Sequence, residues 1–341
     1  MCSSDLVSVL PTIFGEKIVL RILDPGEMDV DIDRLGLDAH DYLNLQSFIK
    51  QPQGMILVCG PTGSGKTTTL YSALKAMRSP EKNILTIEDP VEYTIEGVNQ
   101  IQVNEKIGFT FANGLRTILR QDPDSILVGE IRDQETAQIA FRSSLTGHLV
   151  LSSLHTNGSI AAVTRLLDMG IEPFIIASSM LGVVSQRLVR VNCEHCRKKY
   201  MPPAYLINRY KRLLDENCVR DFYKGEGCPE CRHTGFKGRA GVFEFLVFSE
   251  PVKRMICNGA SENEIKDFAV KNMGFKEIAQ SGIVKVVEGV TTLEEMDSVL
   301  GCHHDALHEM DRGVKEVTVP GVFKEEDLFH LRRTRSDACL K

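Results

Sequence analysis

The sequence predicts an α/β protein with a mostly parallel sheet, and three observations carry that expectation. Continuous apolar runs recur at residues 54–60, 84–87, 125–128 and 148–152, the pattern of strands buried on both faces. Helical or loop stretches such as 111–120 and 135–145 separate them, so strands and helices alternate as a parallel sheet requires. A glycine-rich turn follows the first run at once.

Taken in order, residues 7–23 read as two short strands around a turn at Gly15, and 35–49 as a helix. After the buried runs the texture changes at Arg190: two cysteine pairs, Pro202 and Pro203, and a glycine-rich stretch at 225–241 mark a small separate module. Amphipathic helical periodicity returns at 250–300, with starts at Ser261 and Thr292, each followed three residues later by glutamate. The expected domains are a core at 35–190, a cysteine module at 191–240 and a helical C-terminal subdomain at 241–300. An extension at 301–341, with Cys302, His303 and His304, has no clear pattern.

At 341 residues and 43% hydrophobic composition the chain can fill a proper core. The best membrane-span candidate, 166–184, is interrupted by Asp168 and Glu172, short of the roughly 18 uncharged residues a span needs. The amino terminus lacks the basic start and apolar middle of a signal peptide. A soluble cytoplasmic protein is expected. A net charge of −6, no Trp and 6% aromatics argue against a basic, aromatic-rich stripe for nucleic acid. Ten cysteines in a chain of this size point to metal ligation before disulfides.

The turn after the first strand, GPTGSGKT at 60–67, fits G-x-x-x-x-G-K-[ST] between a buried strand and a helix beginning near Thr68. Gly60, Pro61, Thr62, Gly63, Ser64 and Gly65 let backbone N–H groups face phosphates, and the helix N-terminus adds its positive dipole end. Lys66 is expected on the β and γ phosphates of ATP, Thr67 on Mg²⁺, and Thr68 completes the motif. The carboxylates come from two strand ends. Glu130, closing the run ILVGE, is the metal-side acid, and Glu88, Asp89 and Glu92 follow the strand at 84–87, Glu92 being first choice to orient the attacking water.

His155 ends the run LVLSSLH and reads either as a structural histidine or as a reporter of the γ-phosphate. Arg116, Arg120 and Arg132 flank the second acidic strand and read either as surface ion pairs or as stabilisers of transition-state charge. Cys193 and Cys196, with Cys228 and Cys231, form two C-x-x-C pairs with 31 residues (197–227) between them. Four thiolates close a tetrahedral zinc shell without an open position, so a structural site is expected; four unligated thiols are the alternative. His195 and His233 are neighbours rather than expected ligands.

Together these segments resemble the secretion ATPases of type II secretion and type IV pilus assembly over about residues 7–300. Residues 10–24 resemble the end of that family's amino-side domain, 60–68 its Walker A motif, 86–92 its Asp box, 126–130 its Walker B strand and 147–156 its His box. The resemblance implies a RecA-like P-loop NTPase core, a tetracysteine zinc module, and ATP, Mg²⁺ and Zn²⁺ as cofactors. It makes His155 a site residue and gathers Arg21, Arg116, Arg120 and Arg132 around the phosphates. It also implies a homohexamer working with an inner-membrane platform and cytoplasmic docking proteins, peripheral to the membrane through them. Residues 1–34 then read as a remnant of the amino-side domain plus linker. Residues 1–6 read as translated adapter sequence, with Leu6 where the family carries an arginine.

Within the resemblance, the cysteine pairs favour an assembly motor over a retraction motor, and the runs at 163–174 and 181–188 lean toward type II secretion. The expected function is an ATP-hydrolysing motor driving pseudopilus assembly and protein secretion, with type IV pilus assembly as the alternative. A nucleic-acid-stimulated motor and an inactive scaffold are the readings from other classes.

Overall fold

The computed structural model describes residues 4–22, 30–216 and 221–301. In chain order the strands and helices are β1 (Ser4–Thr12), β2 (Gly15–Ile22), α1 (Ala39–Ile49), β3 (Gly54–Cys59), α2 (Lys66–Met77), β4 (Ile84–Glu88), β5 (Asn99–Gln102), α3 (Phe111–Ile118), β6 (Ser125–Val128), α4 (Gln134–Leu145), β7 (Leu149–Leu154), α5 (Ser159–Asp168), α6 (Pro173–Ser179) and β8 (Met180–Asn192). They continue with β9 (Arg197–Tyr200), α7 (Ala204–Arg209), α8 (Lys211–Glu216), β10 (Phe222–Gly225), β11 (Phe236–Val247), α9 (Glu250–Cys257), α10 (Glu262–Met273), α11 (Ile278–Val287) and α12 (Leu293–Leu300).

Several helix starts are set by a side chain that accepts an otherwise orphaned N–H. Asp38, Thr110 and Asp133 cap α1, α3 and α4, and Ser261 with Glu264 forms the expected capping box of α10. The seven-stranded sheet runs β11-β8-β3-β7-β6-β4-β5, and every pairing from β8 to β5 is parallel. The expected parallel α/β core is therefore present. Three of its strands were not legible. β5 (NQIQ) lies at an edge and carries no apolar run, β8 interleaves Ser185, Gln186 and Arg187 with its apolar residues just before the change at Arg190, and β11 begins in the glycine-rich stretch.

The chain folds into two compact units, one of residues 4–189 and 239–281, the other of 190–238 and 282–301 among those described. In the first, alternate residues of each strand enter opposite cores. Met55, Leu57, Ile126, Val128 and Val150 pack with Leu115, Phe141, Leu166 and Ile176. Ile56, Val58, Leu127 and Leu151 pack with Leu45, Phe48, Leu70 and Leu74. Covering both faces removes them from chemistry and leaves the strand ends. The hairpin β1–β2 is a separate antiparallel pair whose side chains from Ser8 to Val19 are exposed.

The expected helical segment 241–300 divides between the units, because Val252, Ile256, Ile265 and Ala269 complete the first unit's core. In the second unit β9 and β10 pair antiparallel, and acids of α12 hold the remainder. Arg190 grips Glu295 with its Nε at 2.9 Å, the Tyr210 hydroxyl donates to Asp297 at 2.8 Å, and Tyr200 donates to Glu294. No described helix is long and apolar enough to cross a membrane.

Phe141 is fully buried and Phe174 is 56% exposed. Phe141→Ala is expected to cost about 3–5 kcal/mol of stability through lost transfer energy and a residual cavity, against less than about 0.5 kcal/mol for Phe174→Ala. Urea denaturation of the two variants checks this, and equal midpoints would contradict the core assignment.

Candidate functional site

Four strand ends of the first unit meet at the sheet's carboxyl edge, tied by hydrogen bonds that continue past the ladders. The Gly60 N–H donates to the Leu154 carbonyl at 3.3 Å, and Gly129 to Ile87 at 2.8 Å. The Ser153 hydroxyl donates to Gly129 at 2.7 Å, and Ile131 N–H to Ser153 at 3.0 Å. The phosphate-loop strand, the Asp-box strand, the acidic strand and the His-box strand are thereby held in one register.

The loop between β3 and α2 leaves the sheet at Gly60, with φ +151°, where a Cβ would come within 2.5 Å of both the Gln186 carbonyl and the Ser64 hydroxyl. Only glycine fits there. Pro61, Thr62 and Gly63 are exposed, Ser64 is buried, and Gly65, Lys66, Thr67 and Thr68 are half-buried. Helix α2 starts at Lys66, two residues before the expected start, so its first N–H groups open onto the loop. The Lys66 ammonium donates to the Gly60 and Pro61 carbonyls at 2.9 and 3.1 Å. Burial holds it below the usual lysine range, and the charge of nearby Glu130 opposes that shift.

Glu130 is the centre of the charged group. Its carboxylate is largely buried, pairs with Arg132, and lies 3.3 Å from His155 Nε2. The bond to Glu130 raises Arg132 against burial, with Asp89 and Glu105 adding to the field around it. Lys66, Glu130, Arg132, His155 and Asp89 are thus brought together.

The other expected site residues have different surroundings. Glu88 is buried with its carboxylate turned onto Tyr71, onto Thr86 Oγ1 at 2.5 Å and onto Gln100 Nε2 at 3.3 Å. It organises the Asp box from below, where the sequence placed it among nucleotide contacts. Glu92 is half-buried above it, its N–H donating to the Tyr71 hydroxyl at 3.3 Å. Arg116 is engaged by Glu135 at 2.6 Å, and Arg120 is exposed just beyond α3. The side chain of Arg21, in β2, lies outside the described residues.

Sequence reasoning missed Gln186 and Arg187 on β8. The Gln186 carboxamide accepts from Thr69 at 2.7 Å, and Arg187 is buried while donating to the Asn157 carbonyl at 3.0 Å. Both lie in the run VSQRL, which carries no pattern of its own that marks a site.

In the second unit Cys193, Cys196, Cys228 and Cys231 converge, with sulfur–sulfur separations of 3.8, 3.8 and 3.7 Å for the 193–228, 196–231 and 228–231 pairs. Tetrahedral ligation at ~2.3 Å places sulfurs ~3.8 Å apart, so the cluster has the size of a zinc shell. N–H groups of Gly227, Cys228 and Gly235 donate to these sulfurs at 3.2–3.3 Å, as thiolates require. His195 and His233 are not part of the cluster.

A parallel sheet carrying this loop, with carboxylates at the neighbouring strand ends, defines a RecA-like phosphate-loop NTPase core. The profile of the family described as Type II/IV secretion system protein matches residues 5–298. The chain belongs to that family. The type II secretion system ATPase E of Vibrio cholerae is 48% identical over 290 residues, covering 85% of this chain and 57% of that protein. The type IV pilus assembly ATPase PilB of Thermus thermophilus is 47% identical over the same length, covering 85% and 32%. The chain therefore spans little more than half of the first of these relatives. Among solved structures, the pilus retraction motor PilT with bound ADP superposes with a TM-score of 0.61 at 28% identity, covering 85% of this chain and 72% of that one.

Tyr71→Phe removes one of three donors to the buried Glu88 carboxylate, whose pKa burial already raises against those bonds. The expected cost is about 1–3 kcal/mol. Because the variant raises the folded pKa further, the loss is largest above that pKa and shrinks as pH falls through it. Urea midpoints across the pH range check this, and a pH-independent loss would contradict the assignment.

Proposed function

We propose that this chain is the ATP-hydrolysing motor of a bacterial type II secretion system, coupling hydrolysis to pseudopilus assembly and protein secretion. The carrying observation is the meeting of Lys66 on the phosphate loop with Glu130, Arg132 and His155 at one sheet edge. In this reading the loop N–H groups and Lys66 hold the phosphates of ATP. Thr67 would hold Mg²⁺, which when bound neutralises phosphoryl charge. Glu130 works on metal and water, and Glu92 orients the attacking water. His155, held by Glu130, reports the γ-phosphate to the turn that follows it. Arg21, Arg116, Arg120 and Arg132 stabilise developing charge as neighbouring parts close, which makes turnover conditional on a ring, a homohexamer.

The cysteine cluster holds one structural Zn²⁺ in this reading, its four sulfurs already at the right spacing. The motor works in the cytoplasm against an inner-membrane platform and cytoplasmic docking proteins. Type IV pilus assembly is the second reading, favoured by the 47% identical PilB of Thermus thermophilus.

Lys66→Ala is expected to abolish ATP hydrolysis while leaving the fold intact, and Glu130→Gln to keep nucleotide binding but lose roughly 100-fold or more in kcat. Wild-type turnover in folded Lys66→Ala would end this reading, and stimulation of the wild type by DNA would move it to a nucleic-acid motor. Mixing Lys66→Ala chains with wild type should depress activity more than dilution does; strictly proportional loss would show that single chains suffice.

Elemental analysis of protein purified without chelator should find one zinc per chain, and a chelator should raise amide exchange at 190–238 before the sheet loosens. Absence of stoichiometric zinc would leave four free thiols.

A further inference from the structure

The phosphate site has a buried carboxylate behind it that no part of the chemistry uses. Glu244, on β11, is 8% exposed, and burial raises its carboxyl against the hydrogen bonds it accepts. Its Oε1 accepts from the Ser159 N–H at 2.8 Å and the Ser159 hydroxyl at 2.5 Å. Its Oε2 accepts from the Ile278 N–H at 3.2 Å. One side chain therefore serves the first N–H groups of two helices, α5 and α11.

Helix α5 needs that service. Its N-cap is Gly158, which has no side chain to offer the orphaned donors, and no local side chain caps it. A carboxylate at a helix N-terminus satisfies the donors and meets the positive dipole end. Here it comes from a strand 85 residues away in sequence.

Ser159 ends a turn that starts at His155, and each intervening residue is also held. The Thr156 hydroxyl donates to the Gly158 carbonyl at 3.2 Å. Arg187 donates to the Asn157 carbonyl at 3.0 Å and to its side-chain oxygen at 3.4 Å. The Cys59 thiol donates to the Gly158 carbonyl at 3.4 Å. The turn is thus fixed at its near end by Glu130 against His155 and at its far end by Glu244 against Ser159. Burying a carboxylate this deeply is costly unless its bonds are complete, and an apolar residue would serve packing alone.

We infer that Glu244 is a positioning residue for hydrolysis, setting His155 against Glu130 by anchoring the far end of the 155–159 turn and tying it to the start of α11. This rests on the reading of the chain as an ATPase, in which His155 senses the γ-phosphate. The role is one of placement, because the Glu244 carboxylate is taken up by Ser159 and Ile278.

The test is Glu244→Ala in the full chain, with ATP turnover and amide hydrogen exchange read side by side. Turnover should fall roughly 10- to 100-fold in kcat, as misplacement of a reacting group does, with KM for ATP within about twofold. In a His155→Ala background the same change should lower kcat by less than about twofold, because its effect passes through the missing imidazole. A merely structural role would multiply the two losses and overturn the inference. Exchange in the 155–160 segment should rise about tenfold with the phosphate loop unchanged, and unchanged exchange at 155–160 would overturn it equally. If Glu244→Ala does not fold, Glu244→Gln takes its place, since its NH₂ cannot accept from one of the two helix ends. A wild-type chain that hydrolyses no ATP defeats the functional reading, and the exchange result still decides what Glu244 holds.

Discussion

The hydrogen bonds that join the carboxyl ends of β3, β4, β6 and β7 are the constraint on which the rest of the site depends. A parallel sheet covered on both faces has no free surface for chemistry except where its strands stop. Here the stops are cross-linked, Gly60 to Leu154, Gly129 to Ile87 and Ile131 to Ser153. Lys66 and Glu130 come from segments some sixty residues apart, yet their separation is set by strand register rather than by loop conformation. Ladder pairs such as Val58 with Ser153 and Ile87 with Val128 carry that register across the sheet. A one-residue slip would send a strand's core residues to the opposite layer, which both packed layers resist.

The residues legible in the sequence were those whose function imposes a local pattern. The phosphate loop could be read because its glycines, lysine and threonine must follow one another along a single turn. Glu130 was legible because an apolar strand must end in it. The four cysteines announced themselves by paired spacing, and the structure brings them to tetrahedral dimensions. Glu88 shows the limit of such reading. It shares the strand end with Asp89 and Glu92, but alternation along β4 turns it inward to Tyr71, Thr86 and Gln100. Three acids in five residues look alike in sequence, and only the pleat separates an inward carboxylate from an outward one. Arg116 shows a related limit, since its ion-pair partner Glu135 lies on the next helix and no local spacing marks the pair.

The strands β8 and β11 were missed, and with them the residues that support the site from behind. Gln186, Arg187 and Glu244 work through contacts 30 to 117 residues away in sequence, so no local spacing marks them. Their signal is physical rather than textual, because each is a polar side chain held inside a core. The second unit shows the same dependence on distance. Its cysteine pairs were readable, but the acids of α12 that tie Arg190, Tyr200 and Tyr210 come from nearly a hundred residues later. A small unit with a modest apolar core needs such ties in addition to any metal.

Buried polar groups of this kind are a poor way to stabilise a fold. Arg187 loses hydration as Glu244 does, and burial lowers its pKa while Cys59 and Glu244 oppose the shift. Replacing such a group together with its partners by apolar residues would commonly be neutral or favourable for stability, whereas removing one member alone leaves buried partners unsatisfied. What the two side chains supply is direction. Arg187 fixes the carbonyl of Asn157, and Glu244 fixes the N–H of Ser159, so two successive peptide groups beyond His155 have assigned orientations. The same carboxylate reaches Ile278 at the head of α11, the helix through which the chain passes from the first unit to the second. A rearrangement that displaced α11 would withdraw one of the donors completing Glu244 and leave its buried charge less satisfied. The free-energy cost of that loss falls on the turn that carries His155, and through the 3.3 Å contact on Glu130 itself.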